Sequence, residues 1–160
     1  MSLQVYLSGP ITGKSFDEAT NWRHDAMVEL HIAGFKVRDP LRGKSFSPLS
    51  HQKKIDHKAY KVETNPTLSD KALHDRDILD VISSDILLVN FMDATQVSIG
   101  TVIEIAIGAY LNKLVVIAAP KDDKFHNHPF IRVEATVIFH TFEEALRYVI
   151  SCGVEEIKRD

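Results

Sequence analysis

Glu104 is a lone carboxylate in an otherwise uncharged stretch of the chain. It is the only charged side chain between Asp93 and Lys113, and apolar residues surround it in the pattern of a buried helix, DATQVSIGTVIEIAIGAYLNK. With Ser98 as the predicted N-cap, Glu104 lies about one turn inside that helix. A rigidly held and poorly hydrated carboxylate is a nucleophile toward an electrophilic carbon, such as the anomeric carbon of a sugar.

The position of this carboxylate also allows a purely structural interpretation. Glu104 could pair with a nearby cation or accept hydrogen bonds from backbone N–H groups. The direction in which its pKa is shifted is undecided as well, because the amides at the helix N-terminus favour the charged form whereas burial favours the neutral one. The residue is therefore a candidate nucleophile whose environment must decide its role.

Three other residues are candidates for a site around Glu104, and each has an ordinary explanation too. Tyr6 lies in an apolar first strand and could be a core residue. Asp77 lies in the polar run HDRD and could be a solvated acid, and Ser98 could serve only as a helix cap. Taken singly, none of the three establishes a function.

The apolar periodicity shows which elements would position these residues. Strand-like runs cover residues 4–8, 35–38, 85–91, 114–119 and 136–140. Helical patterns lie between them, beginning near Asp17, after Ser69 and Ser98 as N-caps, and at a capping box that starts at Thr141. This alternation predicts an α/β protein with a parallel five-stranded sheet covered on both faces.

Ligands of such sheets bind beyond the carboxyl ends of the strands. Three loops, at residues 9–15, 90–100 and 120–129, are therefore predicted to meet beside Glu104. A further segment, residues 41–67, is polar and lacks a clear period, which is typical of a functional or disordered loop. We expect it to be an insertion or lid within a single domain of residues 1–160.

Composition and charge exclude several classes of function. The net charge of −3 gives no basic field for a nucleic acid or an anionic membrane. No G-x-G-x-x-G follows the first strand, which disfavours a dinucleotide enzyme. The eight histidines show no metal-binding spacing, so no metal or cofactor is expected. A single cysteine, no membrane-spanning run and no leader-like pattern lead us to expect a cytoplasmic protein.

Three motifs taken together resemble the nucleoside 2-deoxyribosyltransferase superfamily, which includes 2'-deoxynucleoside 5'-phosphate N-hydrolases and CMP N-glycosidases. They are VYLSGPITG at the first strand, RDILDVISSDILLVN around the third, and SIGTVIE at the start of the following helix. The resemblance covers most of the chain apart from residues 41–67. It implies a flavodoxin-like three-layer sandwich, in agreement with the periodicity.

The resemblance also implies a role for each matching residue. Glu104 would attack C1' of the sugar and form a covalent glycosyl-enzyme, Tyr6 would hold that carboxylate, and Asp77 would handle the leaving base. The substrate would be bound by residues of the neighbouring loops, namely Gly9, Pro10, Ile11, Thr12, Asn90, Ser98 and Gly100. Members of the family form dimers or larger homo-oligomers that share active sites, which implicates His128 in the loop HNHPFIR.

Two features of the substrate and reaction stay open at this point. Capture of the intermediate by a second base would give a transferase, and capture by water a hydrolase. Ser98 stands where transferases carry an acid, which favours a 5'-monophosphate, because a hydroxyl does not repel phosphate as a carboxylate would. The first loop nevertheless lacks the family's phosphate-gripping residues, so Lys14, Arg42 or Lys44 would have to supply the cation.

Two alternative functions compete with this interpretation. The segment IGTVIE partly matches the G-G-x-G-T-x-x-E motif of cytokinin-type nucleotide phosphoribohydrolases, although the double glycine is missing. A non-catalytic nucleotide-binding domain that kept the fold and lost the chemistry is the other alternative. Replacement of Glu104 distinguishes an enzyme from such a binding domain.

Overall fold

The computed structural model describes residues 2–43, 54–55 and 65–153. Its elements, in chain order, are β1 (Gln4–Ser8), α1 (Phe16–Ile32), β2 (Lys36–Arg38), a 3-10 turn (Pro66–Leu68), α2 (Asp70–Ser83), β3 (Ile86–Asn90), α3 (Ile99–Tyr110), β4 (Leu114–Ala118), α4 (Pro129–Glu134), β5 (Val137–Phe139) and α5 (Phe142–Ser151). Of the helices that these residues form, none has the length and apolar character needed to cross a membrane.

The five strands form one parallel sheet in the order β2-β1-β3-β4-β5. The chain runs outward from β1 to β2 and then returns to the other side of β1, so the direction of winding reverses between β1 and β3. Ligand clefts in open α/β sheets form at such a reversal, at the carboxyl ends of the two strands. The predicted α/β fold with a five-stranded parallel sheet is confirmed.

The three central strands of the sheet, β1, β3 and β4, are buried on both faces because helices cover each side. Val5 and Leu7 of β1 pack in a core with residues of α1 and α5, such as Leu30 and Val149. The alternate residue Tyr6 points the other way, into a core that includes residues from α2, α3 and α4. This alternation within β1 directs Tyr6 toward the face on which α3 carries Glu104.

The helix ends follow local side-chain chemistry and correct one prediction. Ser15 and Glu18 form a complete capping box at the start of α1. At α5, Thr141 accepts from the backbone N–H of Glu144, but the Glu144 carboxylate accepts from the Thr141 hydroxyl at 2.7 Å instead of from its backbone. The capping box predicted at Thr141 is therefore only half formed.

The sequence does not predict the short helix α4, because this helix lies in a polar segment without a helical period. His128 caps it by accepting from the backbone N–H of Phe130, and Pro129 occupies its first turn. Proline is favoured there because its missing N–H and fixed φ suit a helix start. A six-residue helix is too short for periodicity to reveal.

Most of the predicted 41–67 insertion lies outside the described residues, but one contact within it is clear. Ile55 forms two backbone hydrogen bonds of 2.7 Å with the loop after β1, accepting from Gly13 and donating to Lys14. Its side chain is buried against Ala19 and Leu41. Ile55 is thereby fixed to the loop that borders the predicted site.

The seating of α3 on the sheet can be tested with two equivalent isoleucine substitutions. Ile105 of α3 is 1% exposed, whereas Ile32 at the end of α1 is 83% exposed. We expect Ile105→Ala to lower the free energy of unfolding by about 2–5 kcal/mol, because it leaves a cavity in the core. Ile32→Ala should change it by about 0.5 kcal/mol or less. Denaturant unfolding of both variants measures this, and equal losses would contradict the packing described.

Candidate active site

A cleft of about 360 Å³ opens at the carboxyl ends of β1 and β3, where the sheet topology reverses. Its walls come from the loop after β1, from α2, from the loop before α3 and from the first turns of α3. The lining residues are Gly9, Pro10, Ile11, Thr12, Leu73, Asp77, Gln96, Val97, Ser98, Ile99, Gly100, Thr101 and Glu104. Of the three loops predicted to meet beside Glu104, those at residues 9–15 and 90–100 line this cleft, whereas the loop at residues 120–129 contributes no lining residue.

The Glu104 carboxylate accepts a hydrogen bond on each of its two oxygens. The Tyr6 hydroxyl donates to Oε1 at 2.8 Å, and the Ser8 hydroxyl donates to Oε2. Both donors lie on β1, two residues apart, so the pleat of the strand presents them on the same face. The carboxylate is thereby fixed in one orientation at the edge of the cleft.

The environment of Glu104 raises its affinity for a proton. Burial raises the pKa of Glu104 to about 7, and the charge of Asp77 adds to this effect. The hydrogen bonds from Ser8 and Tyr6 and the charge of Arg23 act in the opposite direction. Burial likewise raises the pKa of Tyr6 far above its ordinary value, so the phenol remains a donor. The sequence left the direction of the Glu104 shift open, and desolvation decides it.

Asp77 brings a second carboxyl group into the same cleft. It lies on α2, and the adjacent Arg76 guanidinium donates to its Oδ1 at 3.1 Å. Two carboxyl groups that share a cleft can divide the work of a nucleophile and a proton donor when they hold one proton between them. Such a pair is sufficient for cleavage of a glycosidic bond.

The loop after β1 is fixed from behind by a buried cation. The Arg23 guanidinium, with no exposed surface, donates to the carbonyl of Gly9 at 2.8 Å. A Cβ atom at Gly9 would approach the carbonyl oxygen of Asn90 to 2.9 Å and the ring of Trp22 to 3.1 Å. Glycine is therefore required at this position by the close approach of β3.

The loop before α3 is held by a buried histidine. The backbone N–H of Ser98 donates to Nε2 of His126 at 3.1 Å, and the His126 ring stacks on Phe91 with centroids 3.7 Å apart. Burial lowers the pKa of His126, while Asp123 opposes that change, so the neutral ring is favoured as an acceptor. Because Nε2 accepts, the ring proton is on Nδ1, which faces Asp123 Oδ2 at 3.6 Å.

Ser98 occupies the predicted N-cap position of α3, but its side chain makes a different contact. Its hydroxyl pairs with the hydroxyl of Thr101 at 2.9 Å, and no hydrogen bond caps the helix backbone. The predicted N-cap position of Ser98 is therefore confirmed, although its side chain makes no capping hydrogen bond. The hydroxyl still lies on the cleft wall.

Most of the predicted site residues lie together. Those that line the cleft are Gly9, Pro10, Ile11, Thr12, Asp77, Ser98, Gly100 and Glu104, and Tyr6 reaches it through Glu104. Asn90 does not line it; its side-chain oxygen accepts from the backbone of Met92 at 3.0 Å. His128 lies apart from this cleft as the exposed cap of α4, so any role in a partner's site stays a prediction.

Sequence reasoning missed two polar residues of the site, Ser8, which contacts Glu104, and Gln96, which lines the cleft. Ser8 ends the predicted first strand, and its two-residue spacing from Tyr6 predicts a shared face. Gln96 donates to the carbonyl of Thr12 at 3.2 Å and so ties the two loops together. Nothing in the sequence distinguishes Gln96 from other loop residues.

The described candidates for a phosphate-binding cation are engaged elsewhere. The Lys14 ammonium, in a residue only 8% exposed, donates to the carbonyl of Asp93. Arg42 forms a two-point ion pair with Asp80. Lys44 lies outside the described residues. Within the described ranges, the ionisable groups that line the cleft are acids, and no cluster of three potential metal ligands is present.

Comparisons with known proteins identify the fold. No protein-family model matches the sequence, and no curated protein matches it. Among solved structures, a 2-deoxyribosyltransferase from Bacillus psychrosaccharolyticus is similar at 15% identity, with a TM-score of 0.62 over 94% of this chain and 95% of that one. A CMP N-glycosidase from Clostridium botulinum is similar at 14% identity, with a TM-score of 0.57 over 91% and 96% of the two chains.

The same fold also occurs in a protein of a different kind. A molybdenum cofactor binding protein from Rippkaea orientalis is similar at 14% identity, with a TM-score of 0.59 over 96% of this chain and 99% of that one. The resemblance predicted from the sequence motifs is confirmed as structural similarity across nearly the whole chain. At these identities it concerns the fold, and the activity must be inferred from the site.

The raised pKa of Glu104 makes a prediction for stability. A carboxyl group whose pKa rises from its ordinary 4.5 to about 7 on folding binds its proton more tightly in the folded state. Its contribution therefore favours folding most below about pH 4.5 and declines as the pH rises to about 7, by up to about 3 kcal/mol. We expect Glu104→Gln to be more stable than the wild type at pH 8, with the difference shrinking toward pH 4.

Denaturant unfolding across this pH range measures the effect. Glu29→Gln, at an exposed position of α1, is the matched control and should leave the pH dependence unchanged. A Glu104→Gln variant with the same pH dependence as the wild type would show that the carboxyl group is not desolvated as described.

Proposed function

We propose that this protein cleaves the N-glycosidic bond of a nucleoside or its 5'-monophosphate through a covalent glycosyl-Glu104 intermediate. The observation that carries the proposal is the Glu104 carboxylate, held by Tyr6 at 2.8 Å and placed in one cleft with Asp77. The similarity in fold of this chain to a deoxyribosyltransferase and an N-glycosidase supports the same conclusion.

In the proposed first step, an oxygen of the ionised Glu104 carboxylate bonds to C1' of the sugar while the bond from C1' to the base nitrogen breaks. The electron pair leaves with the base, and Asp77 delivers to the base the one proton that the two carboxyl groups share. Negative charge on Glu104 stabilises the positive charge that develops on the sugar ring in the transition state.

In the second step, the acceptor attacks C1' and restores the Glu104 carboxylate, while the Asp77 carboxylate takes up the acceptor's proton. A second base as acceptor makes the protein a nucleoside 2-deoxyribosyltransferase, and water makes it a nucleoside hydrolase. Since both acceptors use the same two carboxyl groups, the site residues alone are compatible with either. The assay below separates them by the dependence of product on free base.

The charges in the cleft support a substrate with a free 5'-hydroxyl. A 5'-phosphate would enter a cleft whose described ionisable groups are acids, while Lys14 and Arg42 are bonded elsewhere. From the sequence, the Ser98 hydroxyl favoured a 5'-monophosphate substrate, but in the structure this hydroxyl is hydrogen-bonded to Thr101. We therefore place the unphosphorylated nucleoside ahead of the monophosphate.

A second candidate function is ligand binding without chemistry. The similarity in fold to a molybdenum cofactor binding protein favours it, because the fold by itself accommodates a binding role. A binding domain would not require the paired carboxyl groups that share this cleft. Substitution of those groups separates the two functions.

The proposed activity is tested by incubating the protein with nucleosides and their 5'-monophosphates, with and without a free base, and quantifying base released or exchanged by chromatography. We expect Glu104→Gln to lower kcat at least about 10³-fold, because it removes the nucleophile while leaving nucleoside binding measurable. Asp77→Asn should lower kcat about 10²- to 10⁴-fold for a base that needs protonation.

The matched control is Asp75→Asn, since Asp75 lies on the same helix but is exposed and paired with Lys71. Its activity should equal that of the wild type. An absence of release and exchange by the wild type across the panel would refute the enzymatic function, and measurable nucleoside affinity in that case would favour the binding domain.

We further propose that the protein forms a homodimer or larger homo-oligomer. Ile99, Ile103 and Tyr110 lie along one face of α3 and are 72%, 42% and 85% exposed. Exposed apolar side chains also lie on α2 and α4, the helices that contact α3, namely Leu79, Ile82, Phe130 and Val133. Exposed apolar side chains on neighbouring helices are typical of a subunit interface.

The oligomeric state is measured by sedimentation velocity over a range of concentrations. We expect a dimer or larger species for the wild type and a shift toward monomer for Ile103→Glu, because a charge would be buried in the interface. Ile32→Glu is the control, since Ile32 is 83% exposed on α1, on the opposite side of the sheet. A monomeric wild type at all concentrations would contradict the proposal.

A further inference from the structure

We infer that Ser8 is a positioning residue for Glu104, because its hydroxyl holds the carboxylate oxygen that Tyr6 does not reach. The consequence for catalysis depends on the proposed function, whereas the contact itself does not. Tyr6 donates to Oε1 and Ser8 donates to Oε2, so the carboxylate cannot rotate without losing a hydrogen bond.

The position of Ser8 in the sheet makes this contact specific. Ser8 is the last residue of β1, pairs in register with Val89 of β3 and has no exposed surface. A buried serine hydroxyl without a partner is destabilising, and here the partner is Glu104. An alanine would fit the strand equally well, so the fold alone gives no reason for a hydroxyl at this position.

A donor to one lone pair of a carboxylate oxygen leaves the other lone pair available for attack on C1'. The hydroxyl can therefore remain bonded while Glu104 acts as the nucleophile. When the glycosyl bond forms, the negative charge of the carboxylate is lost, and the donated hydrogen bond weakens. Ser8 thus stabilises Glu104 most strongly in the ionised form from which the reaction starts.

Other groups also shift the pKa of Glu104, and the effect of the Ser8 hydrogen bond must be distinguished from theirs. Burial raises the pKa of Glu104 and the Asp77 carboxylate on α2 adds to it, while Tyr6 on β1 and the buried Arg23 on α1 lower it. Hydrogen bonds to a charged group contribute more than those between neutral groups. Removal of the Ser8 hydroxyl should therefore move the titration of Glu104 to higher pH while those other groups stay in place.

The titration can be followed without any assay of activity. Protein labelled with ¹³C at the glutamate carboxyl carbons is titrated by NMR, and Glu104→Gln identifies the Glu104 signal. In Ser8→Ala the midpoint should rise by about one pH unit relative to the wild type. In Ser8→Cys, which fills the site with a weaker donor, it should rise by a smaller amount.

Ser84→Ala is the matched control, because Ser84 is also a fully buried serine but donates to the carbonyl of Asp80 at 2.7 Å, away from the cleft. Its midpoint should equal that of the wild type. If Ser8→Ala does not fold, the comparison of Ser8→Cys with the wild type carries the same test.

Once a substrate has been identified, the same variants can be compared by their kinetics. The acidic limb of the pH profile of kcat/KM should move with the NMR midpoint, and activity at pH 7 should fall about fivefold in Ser8→Ala, in proportion to the ionised fraction. An unmoved midpoint in both Ser8 variants overturns the inference. A moved midpoint in a protein that releases no base from any nucleoside would retain the role of Ser8 and reject the proposed function.

Discussion

The contact of one helix carboxylate with two hydroxyls of the first strand is the constraint on which the site depends. Tyr6 and Ser8 reach Glu104 because β1 and β3 are parallel neighbours and because α3 follows β3 and returns across it. A shift of β1 by one residue relative to β3 would turn both hydroxyls to the opposite face of the sheet. The register of two buried strands therefore determines whether the carboxylate is held at all.

Desolvation raises the proton affinity of the carboxylate in this contact. The pKa of Glu104, raised by burial to about 7, means that the ionised and neutral forms are of similar free energy at neutral pH. A carboxylate that is ionised but poorly solvated is more reactive than one in water, and the two hydroxyls keep it from becoming wholly protonated. The buried Arg23 guanidinium, which donates to the Gly9 carbonyl, adds a fixed positive charge that favours the ionised form of Glu104.

The fold by itself does not specify the chemistry. Chains of similar topology, at 14–15% identity, include a deoxyribosyltransferase, an N-glycosidase and a protein that binds a molybdenum cofactor. What the fold provides in this chain is a cleft at the reversal between two parallel strands. Function then follows from the few side chains that the strand ends and helix starts place in that cleft, which here include two carboxyl groups.

From the sequence alone, the fold and the position of Glu104 could be predicted, because periodicity reports burial and burial fixes which residues face a sheet. The convergence of the carboxyl ends of parallel strands predicted that the loop at residues 9–12 and Ser98 are neighbours, whereas Asp77 was expected there only from the family resemblance. Only the tertiary structure decided matters that depend on distance and competition between partners. It showed that Lys14 and Arg42 are bonded elsewhere and that Asn90 binds its own loop. It also showed that desolvation of Glu104 outweighs the hydrogen bonds from Ser8 and Tyr6. These outcomes follow from the arrangement of residues far apart in the chain, which no local pattern of residue types encodes.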